Sequence, residues 1–119
     1  LNGANLLEGR EFNFSSGNGE AGLAVDLTAN PPRLYVADTF NNRILGFNDL
    51  RNLKAGQKAD IVIGQPDFQH STPNYPSGDP NKITSSGLAA PTGLVVDSEG
   101  NLYVADTGNS RVLRFPKPF

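Results

Sequence analysis

The chain has 119 residues, 10 Lys+Arg against 12 Asp+Glu for a net charge of −2, one His, and no Cys, Met or Trp. That length allows one small domain, since domains run to roughly 100–200 residues. The charge lacks the basic surplus of a nucleic-acid binder, no run of about 18 apolar residues is present to span a membrane, and without cysteine there is no disulfide framework, thiolate zinc site or thiol nucleophile. Hydrophobic residues at 37% and 13 glycines suffice for a packed core. The chain begins at Leu1 with neither methionine nor a basic-led apolar signal segment, as expected of a processed chain, a trimmed piece or a fragment.

In chain order, strands are predicted at 11–14, 22–26, 33–38, 43–47, 60–64, 93–97, 101–106 and 111–115. Each is a short run rich in Val, Ile, Leu, Tyr and Phe, bounded by Gly, Pro, Asn and Asp. No segment holds helical spacing over ten residues; Asp49 to Gln57 is at most a turn. Gly17-Asn18-Gly19 reads as a turn and not a phosphate loop, because no helix follows to supply a dipole. Asn13-Phe14-Ser15 fits the N-glycosylation pattern, but its predicted place on a strand makes it a weak match. Four-residue connections join Asp38 to Arg43 and Asp106 to Arg111, the length of a hairpin loop. Ser98-Glu99-Gly100-Asn101 is a further hairpin turn, with Pro31-Pro32 in the corresponding place upstream.

The chain repeats itself. Gly22-Leu23-Ala24-Val25-Asp26 and Leu34 to Phe47 recur as Gly93-Leu94-Val95-Val96-Asp97 and Leu102 to Phe115, with 14 of 19 aligned positions identical. A fainter repeat lies upstream, Asn5-Leu6-Leu7-Glu8-Gly9 against Asn52-Leu53-Lys54-Ala55-Gly56. The spacers differ in length between copies, as loops tolerate. Each unit reads as a four-stranded antiparallel meander, and a repeated meander is the unit of a β-propeller.

The Gly-Leu-x-Val-Asp and Leu-Tyr-Val-Ala-Asp-Thr-x-Asn-x-Arg-x-Leu-x-Phe pattern resembles the NHL repeat. It also resembles bacterial NHL propellers in which Ile-Gly-Gln-Pro-Asp-Phe, here Ile63 to Phe68, follows the outer strand. The resemblance implies an all-β fold of two propeller blades within a single segment, 1–119. Residues 22–64 form the first blade, 65–92 a long inter-blade loop, and 93–115 a second blade lacking its outer strand. The strand at 10–14 is then a swapped or closing outer strand. A bacterial secreted or periplasmic setting is slightly favoured.

Two blades do not close a ring, since propellers typically need about 4–8. Either chains join head to tail, strand 10–14 completing the last blade of a neighbour, or the chain is a piece of a longer propeller. Three copies would give a six-bladed homotrimer. Meander geometry puts the loops Ser15–Ala21, Thr39–Asn42, Gln65–Thr92 and Thr107–Ser110 on one side. Phe40, Asn42, Phe68, His70, Tyr75 and Asn109 are the candidate protein- or small-molecule-binding residues there. Alternatively, the long loop is a structural cover over the neighbouring blade.

Asp38/Arg43 and Asp106/Arg111 recur in both copies, as a structural device should. Asp26 and Asp97 end the first strand of each unit, which in propellers lines the central channel. They either cap turns or contribute to a Ca²⁺ site, which takes about 6–8 oxygen ligands. No other metal or cofactor is expected. His70, the only histidine, weighs against the amidating-lyase members of the class, whose metal chemistry depends on several. The acidic balance weighs against the RNA binding of some animal NHL propellers. The expected function is a non-catalytic scaffold or binding module. The alternatives are a calcium-dependent lactonase or esterase-like propeller, or an inactive fragment.

Overall fold

The computed structural model describes residues 9, 10, 12–14 and 21–119. Four strands, β1 (Gly22–Asp26), β2 (Arg33–Asp38), β3 (Arg43–Phe47) and β4 (Ile61–Ile63), form one antiparallel sheet in that order. Three more, β5 (Pro91–Val96), β6 (Leu102–Asp106) and β7 (Arg111–Phe115), form a second. Single 3-10 turns at Thr39–Asn41 and Thr107–Asn109 carry the chain from β2 to β3 and from β6 to β7. Both turns close on a left-handed residue, Asn42 at φ 53° and Ser110 at φ 52°.

Alternation along the strands assigns the two faces of each sheet. In the first sheet, Ala24 pairs with Tyr35 and Ala37 with Ile44, placing these side chains on one face. That face packs on Leu94, Leu102 and Val104 of the second sheet, with Leu88 of the connecting loop between them. Each such aliphatic side chain, once buried, contributes about 1.5–3 kcal/mol. The opposite face of the first sheet carries Val36, Leu45 and Phe47, packed with Ala59, Phe12 and Phe68. The sheets come closest at their inner strands. A Cβ built on Gly22 would lie 1.7 Å from the Thr92 carbonyl oxygen, so only glycine admits the neighbouring backbone here.

The strands at 22–26, 33–38, 43–47 and 111–115 lie where the sequence predicts them, and those at 60–64, 93–97 and 101–106 shift by one or two residues at their ends. The N-terminal strand is a correction. Glu11 lies outside the described residues, and residues 12–14 are not in a strand. Asn13 instead donates its N–H to Asp38 Oδ1 at 2.7 Å and accepts from the Phe40 N–H at 3.0 Å. Ala89 makes the same two bonds in the second sheet, its N–H to Asp106 Oδ1 at 2.8 Å and its carbonyl to the Gly108 N–H at 2.8 Å. Residues 12–14 are thus the first sheet's counterpart of 88–90, a lead-in to the innermost strand. Phe12 fixes them by packing edge-on to Phe47 at 6.4 Å. The predicted turn at 17–19 lies outside the described residues, as does all of the upstream repeat before Gly9.

Candidate functional site

Two copies of one polar cluster hold the hairpins. Asp38 is fully buried and accepts from the Asn13 N–H, from Asn41 Nδ2 at 3.0 Å and from Arg43 Nε at 2.7 Å. The Arg43 guanidinium also donates to the Phe68 carbonyl at 2.8 Å. Asp106 is held alike by the Ala89 N–H, Asn109 Nδ2 at 2.7 Å and Arg111 Nε at 2.8 Å, while Arg111 reaches the Gly87 carbonyl at 2.7 Å. Each carboxylate thus receives three donors and each guanidinium ties a hairpin to the segment after or before it. That is ground-state scaffolding by charge-assisted hydrogen bonds.

The candidate loop-face residues divide into two groups. Asn42 and Asn109 are structural ties. Asn42 donates to the Ser71 carbonyl at 2.9 Å and accepts from the Ala90 N–H at 3.0 Å. Asn109 donates to Asn74 Oδ1 at 2.7 Å. Phe40 is exposed, and Phe68 is half-buried under the Lys58 ammonium, 4.6 Å from the ring centroid. His70 is exposed, lies 2.7 Å from Asp67 and meets Tyr75 edge-on at 5.9 Å. That histidine, followed by the Gln69 N–H, holds the Asp67 carboxyl below its usual range.

The long connection is internally tied, which the sequence did not reveal. Asn74, fully buried, bonds the Leu88 carbonyl through its N–H and the Asp79 and Pro80 carbonyls through its side chain. Gln65 bridges the Asn42 and Thr72 carbonyls at 2.8 Å each. Short Asn- and Gln-to-backbone bonds of this kind depend on the loop's path, so residue identity alone does not announce them.

Asp26 and Asp97 both accept from their own turns. Asp26, buried, takes the Thr28 N–H at 2.9 Å and the Thr28 hydroxyl. Asp97 takes the Glu99 and Asn101 N–H groups at 2.9 Å each, Asn101 Nδ2 at 3.0 Å and the Tyr103 hydroxyl at 3.3 Å. The Asn101 side chain first, then its backbone, brings the Asp97 carboxyl down to about 2, because every donor favours the ionised form. Among the described residues, no group of three or more His, Asp or Glu is placed to hold a metal ion. Tyr35, at the repeat position of Tyr103, has its hydroxyl buried with no hydrogen-bond partner among the described residues. Burial, then the Asp26 carboxylate, raises its phenol above the usual range.

The remaining exposed feature is apolar. On the outer face of the first sheet a groove of about 310 Å³ is lined by Phe12, Phe14, Leu23, Leu34, Val36 and Phe47. On the outward face of the second sheet, Val95 is 63% and Val112 69% exposed, beside Tyr103 and Ala105.

Two antiparallel meanders packed face to face, with inner strands in contact, define blades of a β-propeller. Residues 88–115 match the NHL repeat, so the chain carries an NHL repeat. That match begins at Leu88, so the lead-in Ala89 lies within the repeat unit. Over 92 residues, 72% of this chain, it is 33% identical to Teneurin-4 of Homo sapiens and equally to Teneurin-4 of Mus musculus. It spans 3% of the length of these relatives.

Proposed function

We propose that the chain is a non-catalytic propeller module that binds protein and completes itself head to tail, three copies making a six-bladed ring. One observation carries this reading: the blade pair buries one face of each sheet against the other and leaves Leu23 and Val25 of the first sheet and Val95 and Val112 of the second exposed on the outward faces. Exposed apolar patches of this kind mark interaction surfaces. The repeated Asp–Asn–Arg clusters support a non-catalytic role, since both copies are taken up in holding hairpins. The exposed Phe40 and His70, with the half-buried Tyr75 beside His70, offer the loop-face surface on which a further protein or small-molecule ligand would be received. Unlike contacts between identical copies close into rings when the rotation per copy allows it, and about six blades is within the usual range. Native mass spectrometry and light scattering test the assembly. A species of three 12.7 kDa chains is the expected result, and a chain that stays a soluble monomer at every concentration overturns it.

A further inference from the structure

The internal repeat says which surface should meet which. Aligning the two blades places Tyr35, Ala37 and Ile44 on Tyr103, Ala105 and Val112, and Leu23, Leu34 and Val36 on Leu94, Leu102 and Val104. The first set of the first blade is buried against the second set of the second blade within this chain. The two outward faces therefore carry the missing halves of the same contact. At two positions exposure follows the pairing: Ile44 is 0% exposed and its counterpart Val112 69%, while Leu94 is 9% exposed and its counterpart Leu23 66%. Val36, the counterpart of Val104, is already buried beside Phe12 and Phe47.

We infer that Tyr103 of one copy seats in the groove formed by Leu23, Leu34, Val36 and Phe47 of a second copy, as Tyr35 seats against Leu94, Leu102 and Val104 within the chain. This rests on the self-assembly proposed above and specifies its surfaces. Three further observations fit the same docking. The groove's rim is Phe12, in the lead-in that corresponds to residues 88–90. Leu88, from that second lead-in, is buried in the inter-blade core, so Phe12, which packs on Val36 and Phe47, would form part of the receiving surface as Leu88 does. Finally, Gly22 meets the Thr92 carbonyl at the inner edge of the inter-blade contact, and its counterpart Gly93 has only Ala105 Cβ of its own sheet, 3.3 Å away, within reach of a built Cβ. Gly93 is thus open on the side from which a second copy's backbone would approach.

Such a contact is heterologous, the two copies using different patches, and that gives it a distinctive test. Leu23→Asp spoils only the receiving face and Val112→Asp only the entering face. Both sites are exposed, so the fold should tolerate either, and circular dichroism checks that it does. By sedimentation velocity, wild-type chain should associate. Each variant alone should be monomeric, its association weakened by at least tenfold. An equimolar mixture should give a 1:1 heterodimer and nothing larger, because one intact face of each kind remains. Val25→Asp and Val95→Asp form a second pair for the same experiment should either first variant fail to fold. If wild type associates and Leu23→Asp alone still does so, the pairing of faces is wrong and self-assembly stands. If wild type is monomeric throughout, both fall and the faces are covered by something other than a second copy.

Discussion

Arg43 and Arg111 stand at one position of the repeat and make the same bond to an aspartate, yet their surroundings differ. Both side chains of the Arg43–Asp38 pair are wholly buried, whereas Arg111 is 22% exposed opposite a buried Asp106. Removing one partner of a buried pair leaves an uncompensated charge, at a cost of about 3–5 kcal/mol. Arg43→Ala should therefore destabilise by that amount in urea unfolding. Arg111→Ala should cost clearly less, because water can reach the space it leaves. Equal losses would mean that burial is not what separates the two. These pairs were legible in the sequence because both partners sit five residues apart and recur. The third donor to each aspartate was not. It comes from the backbone of Asn13 in one blade and of Ala89 in the other, and a backbone N–H carries no side-chain signature.

At the scale of strands, two glycines at matching positions separate packing within the chain from packing between copies. A methyl on Gly22 would collide with the Thr92 carbonyl, a backbone atom that cannot turn aside. Gly22→Ala should thus lower stability by about 1–3 kcal/mol, the usual cost of overpacking. Gly93→Ala meets Ala105 Cβ at 3.3 Å, a close side-chain contact and not a backbone collision, and should cost the monomer's thermal stability clearly less than Gly22→Ala does. Its main effect should fall on association. Similar losses of monomer stability at both glycines would contradict the open approach at Gly93. Strand positions could be read in advance because β-branched and aromatic runs alternate between turn residues. The segment at 12–14 misled because Phe-Asn-Phe has the composition of a strand. What decides its state is a pair of backbone bonds to the first hairpin, a tertiary contact that outweighs local propensity.

Across the whole molecule, the second sheet has three strands and buries its inner face only against the first. Leu94, Leu102 and Val104 share one cluster with Tyr35, Ala37 and Ile44, and Leu88 from the long connection completes it. A three-stranded sheet deprived of that cover would expose most of its apolar side chains, so the second blade has no core of its own, while the first would keep only the cluster of Val36, Leu45, Phe47 and Ala59 on its other face. The two blades should unfold as one unit. Leu88 is the sharpest probe, because it belongs to neither sheet and is fully buried between them. Leu88→Ala should lower stability by about 2–5 kcal/mol through lost transfer energy and the cavity left behind. It should do so without changing the steepness of the transition. Far-ultraviolet dichroism and tyrosine emission, to which Tyr35 in one blade and Tyr103 in the other both contribute, should report a single coincident midpoint. The measurement belongs at concentrations below association, since binding between copies would raise the apparent stability by mass action. Two separated transitions in the variant would show that the blades hold themselves together independently and that the shared cluster is not the molecule's principal core.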